Sequence, residues 1–219
     1  MLDWLTSPAF TLFGAPTTWA ELIGFVTGLL GVWLLVVQHI ANWALGIVSV
    51  LMFVIVFWSV GLYADGALQF LYVALGLYGW WRWSHPTLAS RARPATDPDR
   101  SALPVRRTGR GEWVVLGVAG VVLTVGIAVY LDRLTDSSTA VPDALTTALS
   151  LLATYGQTRK LVESWWLWIA ADLIYIPLYG YKELWLTAIL YVVFMTLCGF
   201  GLRTWRADLR SRTAAPAAA

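Results

Sequence analysis

The chain has 219 residues, of which 58% are hydrophobic and 13% charged, with a formal net charge of +2. Soluble domains carry roughly 25% charged residues, so this composition points to a membrane chain, and the single cysteine, Cys198, excludes an intramolecular disulfide. A membrane span needs about 20 mostly apolar residues, and spans are predicted at 19–37, 42–62, 65–83, 112–131, 143–157, 164–181 and 184–204. The predicted fold class is an all-α integral membrane protein with seven transmembrane helices in a duplicated 3+1+3 order.

In chain order, residues 1–18 form an interfacial N-terminal segment. Trp4, Phe10 and Phe13 are its apolar anchors, and Pro8 and Pro16 prevent one long helix. Asp3 and the lack of a basic leading region speak against a cleaved signal peptide. Residues 19–83 form the first three-helix repeat. Gly24, Gly28 and Gly31 in its first span have the small-residue spacing that lets helices approach closely. The third span carries Gln69, Tyr72, Gly76, Gly79, Trp80 and Trp83. Gln69 both donates and accepts, which suits a hydroxyl-rich or carboxamide ligand and equally suits a helix–helix hydrogen bond. Trp80, Trp81 and Trp83 beside Arg82 read as an interfacial aromatic belt. Residues 84–111 form a basic cytoplasmic loop containing Pro86, Pro94, Pro98 and Pro104; no nucleic-acid partner is expected from it. A linker helix follows at 112–131, then the second three-helix repeat at 143–204. Its first span, DALTTALSLLATYGQ, is the shortest and most polar. Residues 205–219 are a cytoplasmic tail.

The halves repeat at an offset of 122 positions: Trp43 falls on Trp165, Leu45 on Leu167, Ile47 on Ile169, Gly79 on Gly201 and Trp83 on Trp205. Glu21 falls on Asp143 by the same shift. Duplicated halves joined by an odd span mark a carrier, whose substrate site lies near the membrane midplane between the halves. Orientation follows from charge. Thirteen of the 15 basic residues cluster after the third, fifth and seventh spans, on one face. The positive-inside rule puts the N-terminus outside and the C-terminus in the cytoplasm.

The chemistry concentrates in SWWLWIAADLIYIPLYGYKELW. Asp172 lies eight residues past Ser164, roughly 12 Å along a helix rising 1.5 Å per residue. A carboxylate at that depth costs about 2.5–3.5 kcal/mol on insertion scales. Two readings remain open, a counter-ion or ligand site and a protonated Asp bonded to a neighbouring helix. Pro177 removes a helical donor and clashes with the Leu173 carbonyl. Trp165, Trp168, Asp172, Tyr175 and Tyr179 share one helical stripe, an aromatic cage around an acid that suits a flat cationic molecule. Belt anchoring is the alternative for Trp165, core packing for Trp168 and Tyr175.

The segments TGLLGVWLLVVQHIANWALGIVSV, LYADGALQFLYVALGLYGWWRW and TRKLVESWWLWIAADLIYIPLYGYKELWLTAILY resemble the PnuC vitamin transporters, from about Gly24 to Trp205. The resemblance implies a 3+1+3 fold like that of the SWEET carriers but differently arranged, and a homotrimer. It also implies facilitated diffusion of a vitamin precursor, usually nicotinamide riboside, made one-way by phosphorylation in the cytoplasm. Gln69 and Trp168 match positions that line the family's substrate site; Asp172 stands where some members have Asn. Relatives carry thiamine or riboflavin, and the anionic Asp172 orders the three as nicotinamide riboside, thiamine, riboflavin, because the first two are cations.

Other classes fit less well. With two histidines and no H-E-x-x-H or paired cysteines, no catalytic residues and no metal ligands are expected, so the chain is not read as an enzyme. No nucleotide-binding loop and no chain of buried acids is present, so no cofactor, ATP hydrolysis or proton coupling is expected. A non-transporting membrane sensor or subunit remains the alternative of another class. The expected partners are a small-molecule vitamin and the lipid bilayer of a bacterial cytoplasmic membrane.

Overall fold

The computed structural model describes residues 3–12, 15–59, 63–85, 103–134, 140–181 and 185–214. Most of the basic loop predicted at 84–111, including Pro86, Pro94 and Pro98, lies outside the described residues. The chain divides into two compact units, Met1–Ala102 and Leu103–Ala219.

The first unit opens with α1 (Asp3–Thr6) and an antiparallel hairpin, β1 (Pro8–Leu12) and β2 (Ala15–Thr18). The expected lead-in is therefore partly a strand pair. Pro8 stands at the first residue of its strand, where a missing backbone donor is tolerated. Thr18 then starts α2 (Trp19–Val36) with a capping box: the Glu21 N–H donates to Thr18 Oγ1 at 3.2 Å, and the Thr18 N–H donates to Glu21 Oε2 at 2.7 Å. Glu21 is thus spent on the helix start.

Next come α3 (Ala41–Ser59) and α4 (Tyr63–Ser84), with α3 packed against both neighbours. The glycine row of α2 permits that approach. Ser49 Oγ donates to the Gly24 carbonyl at 2.7 Å, and a Cβ on Gly28 would stand 2.9 Å from Ser49 Oγ. On the other side of α3, Trp43 lies over Gly79, where any Cβ would collide with its ring. Trp43 meets Trp83 edge-on at 5.5 Å between centroids. Trp83, read from the sequence as a belt residue, is buried in this contact, whereas Trp80 and Trp81 are exposed.

In the second unit the segment 103–109 leads into α5 (Arg110–Leu134), followed by α6 (Ala140–Thr158), α7 (Ser164–Tyr181) and α8 (Trp185–Ala214). α7 packs between α6 and α8, and α5 packs on α6. Leu116, Leu152 and Leu161 form a core joined by Leu123, Tyr155 and Leu167. The leading segment is pinned to the α6–α7 turn. The Arg106 N–H donates to the Lys160 carbonyl at 3.0 Å, and Glu163 Oε2 accepts from both the N–H and Oγ1 of Thr108. Arg106 grips Glu112 with two 2.6 Å bonds.

The 122-residue repeat is visible as geometry inside each unit. Gln38 and Lys160 are the two non-glycine residues with positive φ among those described, at 59° and 50°, and they stand 122 apart. Each closes a helix with a Schellman pattern: His39 N–H to the Leu34 carbonyl at 2.8 Å, and Leu161 N–H to the Gly156 carbonyl at 2.9 Å. A left-handed residue with a Cβ costs about 1–2 kcal/mol, tolerated in both copies because the turn satisfies carbonyls at the helix end. The edge-on tryptophan pair recurs as Trp165–Trp205 at 5.3 Å, over Gly201.

Among the described residues, four helices are long and apolar enough to cross a membrane: Trp19–Val36, Ala41–Ser59, Arg110–Arg133 and Ala188–Ser211. The spans predicted at 65–83, 143–157 and 164–181 do not reach that standard. The first carries Gln69 and Arg82 within α4. In the second, Thr146, Ser150, Gln157 and Thr158 are turned inward and buried, so α6 is amphipathic rather than uniformly apolar. In the third, the apolar stretch shortens to Ser164–Leu178.

Candidate functional site

The tight turn after Lys160 sets the start of α7, where Ser164 Oγ donates to the Leu161 carbonyl at 2.7 Å. From there the helical stripe enters the second unit. Trp165 is fully enclosed, 0% exposed, between Gly201 and Trp205, and its indole Nε1 has no hydrogen-bond partner among the described residues. It is walled in by α8. Trp168, one turn on, is only partly buried and makes no hydrogen bond or ring contact among the described residues. An indole of that size, left with part of its face open, is available to stack on a flat ligand.

Asp172 follows, 1% exposed. Its Oδ2 accepts from the Cys198 thiol of α8 at 3.8 Å. A thiol is a weak donor, so this contact uses little of the carboxylate's four-site acceptor capacity. Tyr175 continues the stripe with its ring 4.5 Å from that of Tyr191, and its hydroxyl lies beside the Thr146 and Ser150 side chains of α6. Tyr179 is helical, but its side chain lies outside the described residues. Pro177 sits inside α7 and is exposed. The second unit thus gathers Trp168, Asp172 and Tyr175 on one face of α7, with hydroxyls from α6 and a thiol from α8 behind them.

In the first unit, Gln69 and Tyr72 lie on α4, both partly buried. Gln69 makes no hydrogen bond among the described residues, while Tyr72 has an interaction partner. Gln69, Tyr72, Gly76, Gly79 and Trp83 follow the same i, i+3, i+7, i+10, i+14 spacing as the α7 group. Gly79 and Trp83 serve the packing of α4 on Trp43. No group of three or more His, Cys, Asp or Glu side chains suited to a metal occurs among the described residues.

Sequence reasoning missed Cys198 and the Thr146–Ser150 pair. Helical periodicity aligns residues on one helix but does not say which residues of another helix they meet. One signal was available: shifted back by 122, Asp172 falls on Val50 and Cys198 on Gly76. The acid and its thiol therefore exist only in the second copy.

Comparison with known proteins agrees with this architecture. The sequence signature of the nicotinamide mononucleotide transporter family matches residues 18–207. The nicotinamide riboside transporter PnuC of Escherichia coli (strain K12) is 25% identical over 220 residues, covering 91% of this chain and 90% of that protein. The riboflavin/roseoflavin transporter RibM of Streptomyces davaonensis is 28% identical over 212 residues, covering 96% and 94%. The crystal structure of the vitamin B3 transporter PnuC shares the fold, with a TM-score of 0.66 at 22% identity over 88% of this chain and 83% of that one. The chain belongs to the nicotinamide mononucleotide transporter family and is a multi-pass membrane transporter, not an enzyme.

Proposed function

We propose that this transporter takes up nicotinamide riboside by facilitated diffusion, with retention by phosphorylation of the substrate in the cytoplasm. The observation that carries this reading is Asp172: a carboxylate buried within α7 at a position where the duplicated copy has Val50. The fold is built once without an acid there, so packing does not require it. Burying a carboxylate in apolar surroundings costs several kcal/mol unless a partner offsets it. The pyridinium ring of nicotinamide riboside is a flat, permanent cation. Trp168 and Tyr175 supply aromatic faces beside the acid, which attract such a ring. Gln69 supplies an amide for the carboxamide or the ribose hydroxyls. Trp165 backs the stripe by holding α7 to α8, and Tyr72 and Tyr179 complete the proposed set. The name of the Escherichia coli relative points the same way.

The frame proposed for this activity has seven spans in a 3+1+3 order. In it α4, α6 and α7 cross with their polar residues turned inward, alongside the four more apolar helices. The repeats are 19–83 and 143–204 around the linker helix at 112–131; the loop at 84–111 and the tail from 205 are cytoplasmic, and the N-terminus is outside. A homotrimer in a bacterial inner membrane is the proposed assembly. The similarity to RibM over nearly the whole chain favours a second reading, transport of riboflavin, a neutral isoalloxazine. Titrating the purified protein with nicotinamide riboside, thiamine and riboflavin separates them. Tightest binding of nicotinamide riboside supports the proposal, and tightest binding of riboflavin replaces it.

A further inference from the structure

The C-terminal part of α8 carries a second chemical feature, which the proposed substrate site does not use. Arg203, Arg206 and Arg210 follow Gly199 at i+4, i+7 and i+11, on one helical stripe. Together with Leu202 and Ala207 they line a cavity of ≈ 320 Å³. A Cβ placed on Gly199 would meet nothing within 4 Å, so the helix surface is open at this end of the depression. Arg206 is held from the next helix: its guanidinium carbon lies 5.4 Å from the ring centroid of Trp166, which is 48% exposed at the start of α7. That contact orients one of the three charges before any ligand arrives.

The repeat shows that folding does not demand this feature. Shifted back by 122, Arg203 falls on Trp81, Arg206 on Ser84, Gly199 on Leu77 and Trp166 on Ala44. Among the described residues, the first copy ends the corresponding helix with the exposed Leu77, Trp80 and Trp81 and a single arginine, Arg82.

We propose that Arg203, Arg206 and Arg210 form a binding groove for the headgroup of an anionic phospholipid, with Gly199 as the notch that admits the start of its acyl chain. The polarity of the groove matches such a ligand. Its basic end lies toward the C-terminus of α8. In the other direction the same stripe continues through Gly199 to the exposed apolar Val192, one further i−7 step. Guanidinium groups take phosphate oxygens in paired hydrogen bonds, and tryptophan beside them suits the headgroup level of a bilayer. A soluble phosphate would use the arginines but leave the apolar continuation idle, and a zwitterionic lipid brings no net negative charge to them.

The test uses the purified full-length protein in detergent, titrated with dioleoyl phosphatidylglycerol or dioleoyl phosphatidylcholine, with bound lipid counted by native mass spectrometry. Phosphatidylglycerol should bind more tightly, by about fivefold per arginine engaged. Arg203→Gln combined with Arg206→Gln should abolish the preference. Arg107→Gln, an exposed arginine outside the groove, should leave it intact. Gly199→Leu, which keeps the charge but fills the notch, should weaken phosphatidylglycerol binding on its own. Equal binding of the two lipids, or an equal loss in Arg107→Gln, would reduce the feature to general surface charge and overturn the proposal. Displacement of phosphatidylglycerol by millimolar inorganic phosphate would overturn it too, in favour of a soluble anion site. Because no transport substrate enters the assay, its outcome is independent of the nicotinamide riboside reading.

Discussion

Replacing Asp172 by Asn isolates the charge, since it retains the size of the side chain and its carbonyl acceptor for the Cys198 thiol. The carboxylate is 1% exposed and has that thiol, 3.8 Å away, as its hydrogen-bond donor among the described residues. If a cationic ring comes to within about 4 Å, the attraction is about 1 kcal/mol at the dielectric of water and about 4 kcal/mol at the effective value for partly buried protein sites. The burial of Asp172 places it toward the upper end, less the cost of desolvating the pair. Asp172→Asn should therefore weaken nicotinamide riboside binding by about 2–3 kcal/mol, roughly 30- to 150-fold at 1.4 kcal/mol per decade. The reduced riboside has the same shape without the ring charge, and its affinity should change by less than about 1 kcal/mol, the net scale of one hydrogen bond. Isothermal titration of both ligands against both proteins measures the four affinities. An equal change for the charged and uncharged ligands refutes the electrostatic role and leaves Asp172 as a helix–helix contact.

Two further predictions concern the stacking residues and the repeat. Trp168→Ala should cost about 1–3 kcal/mol of affinity for a flat ring, and Gln69→Ala should also weaken binding, with elution volume unchanged in gel filtration; unchanged affinity in both would return them to packing. Gly79→Ala and Gly201→Ala each drive a methyl group into a tryptophan ring, an overpacking worth about 1–3 kcal/mol. Both should lower the melting temperature in detergent, whereas Gly46→Ala, where a Cβ meets nothing within 4 Å, should leave it unchanged.

Much of this architecture was readable from the sequence because membrane helices announce themselves by composition. The boundaries of α2, α3 and α7 fall close to the predicted ones, and the 122-residue offset aligned the four tryptophans without predicting that they touch in pairs. The glycine row of α2 likewise met the helix it was expected to admit. Legibility failed where partners come from elsewhere in the chain. Trp83 resembled a belt residue until Trp43 was seen against it. Thr146 and Ser150 made α6 look like a poor span, because hydropathy counts residues without knowing that they face a Tyr175 hydroxyl. The N-terminal hairpin escaped notice, since five- and four-residue strands carry too short a pattern to stand out. The strap from Arg106 to Thr108 was missed too, because it depends on Lys160 and Glu163, more than 50 positions away. For the candidate site, the stripe on α7 was legible and its surroundings were not. Cys198 was read only as a lone thiol.

The proposed function is transport of nicotinamide riboside down its own gradient. Purified protein in liposomes, given labelled nicotinamide riboside with no ion gradient, tests it most directly. Internal label should rise to the external concentration and stop there, and total label should climb past that level only when a riboside kinase and ATP are enclosed. Accumulation driven by a proton or sodium gradient without the kinase would contradict it, as would liposomes that equilibrate riboflavin and exclude nicotinamide riboside.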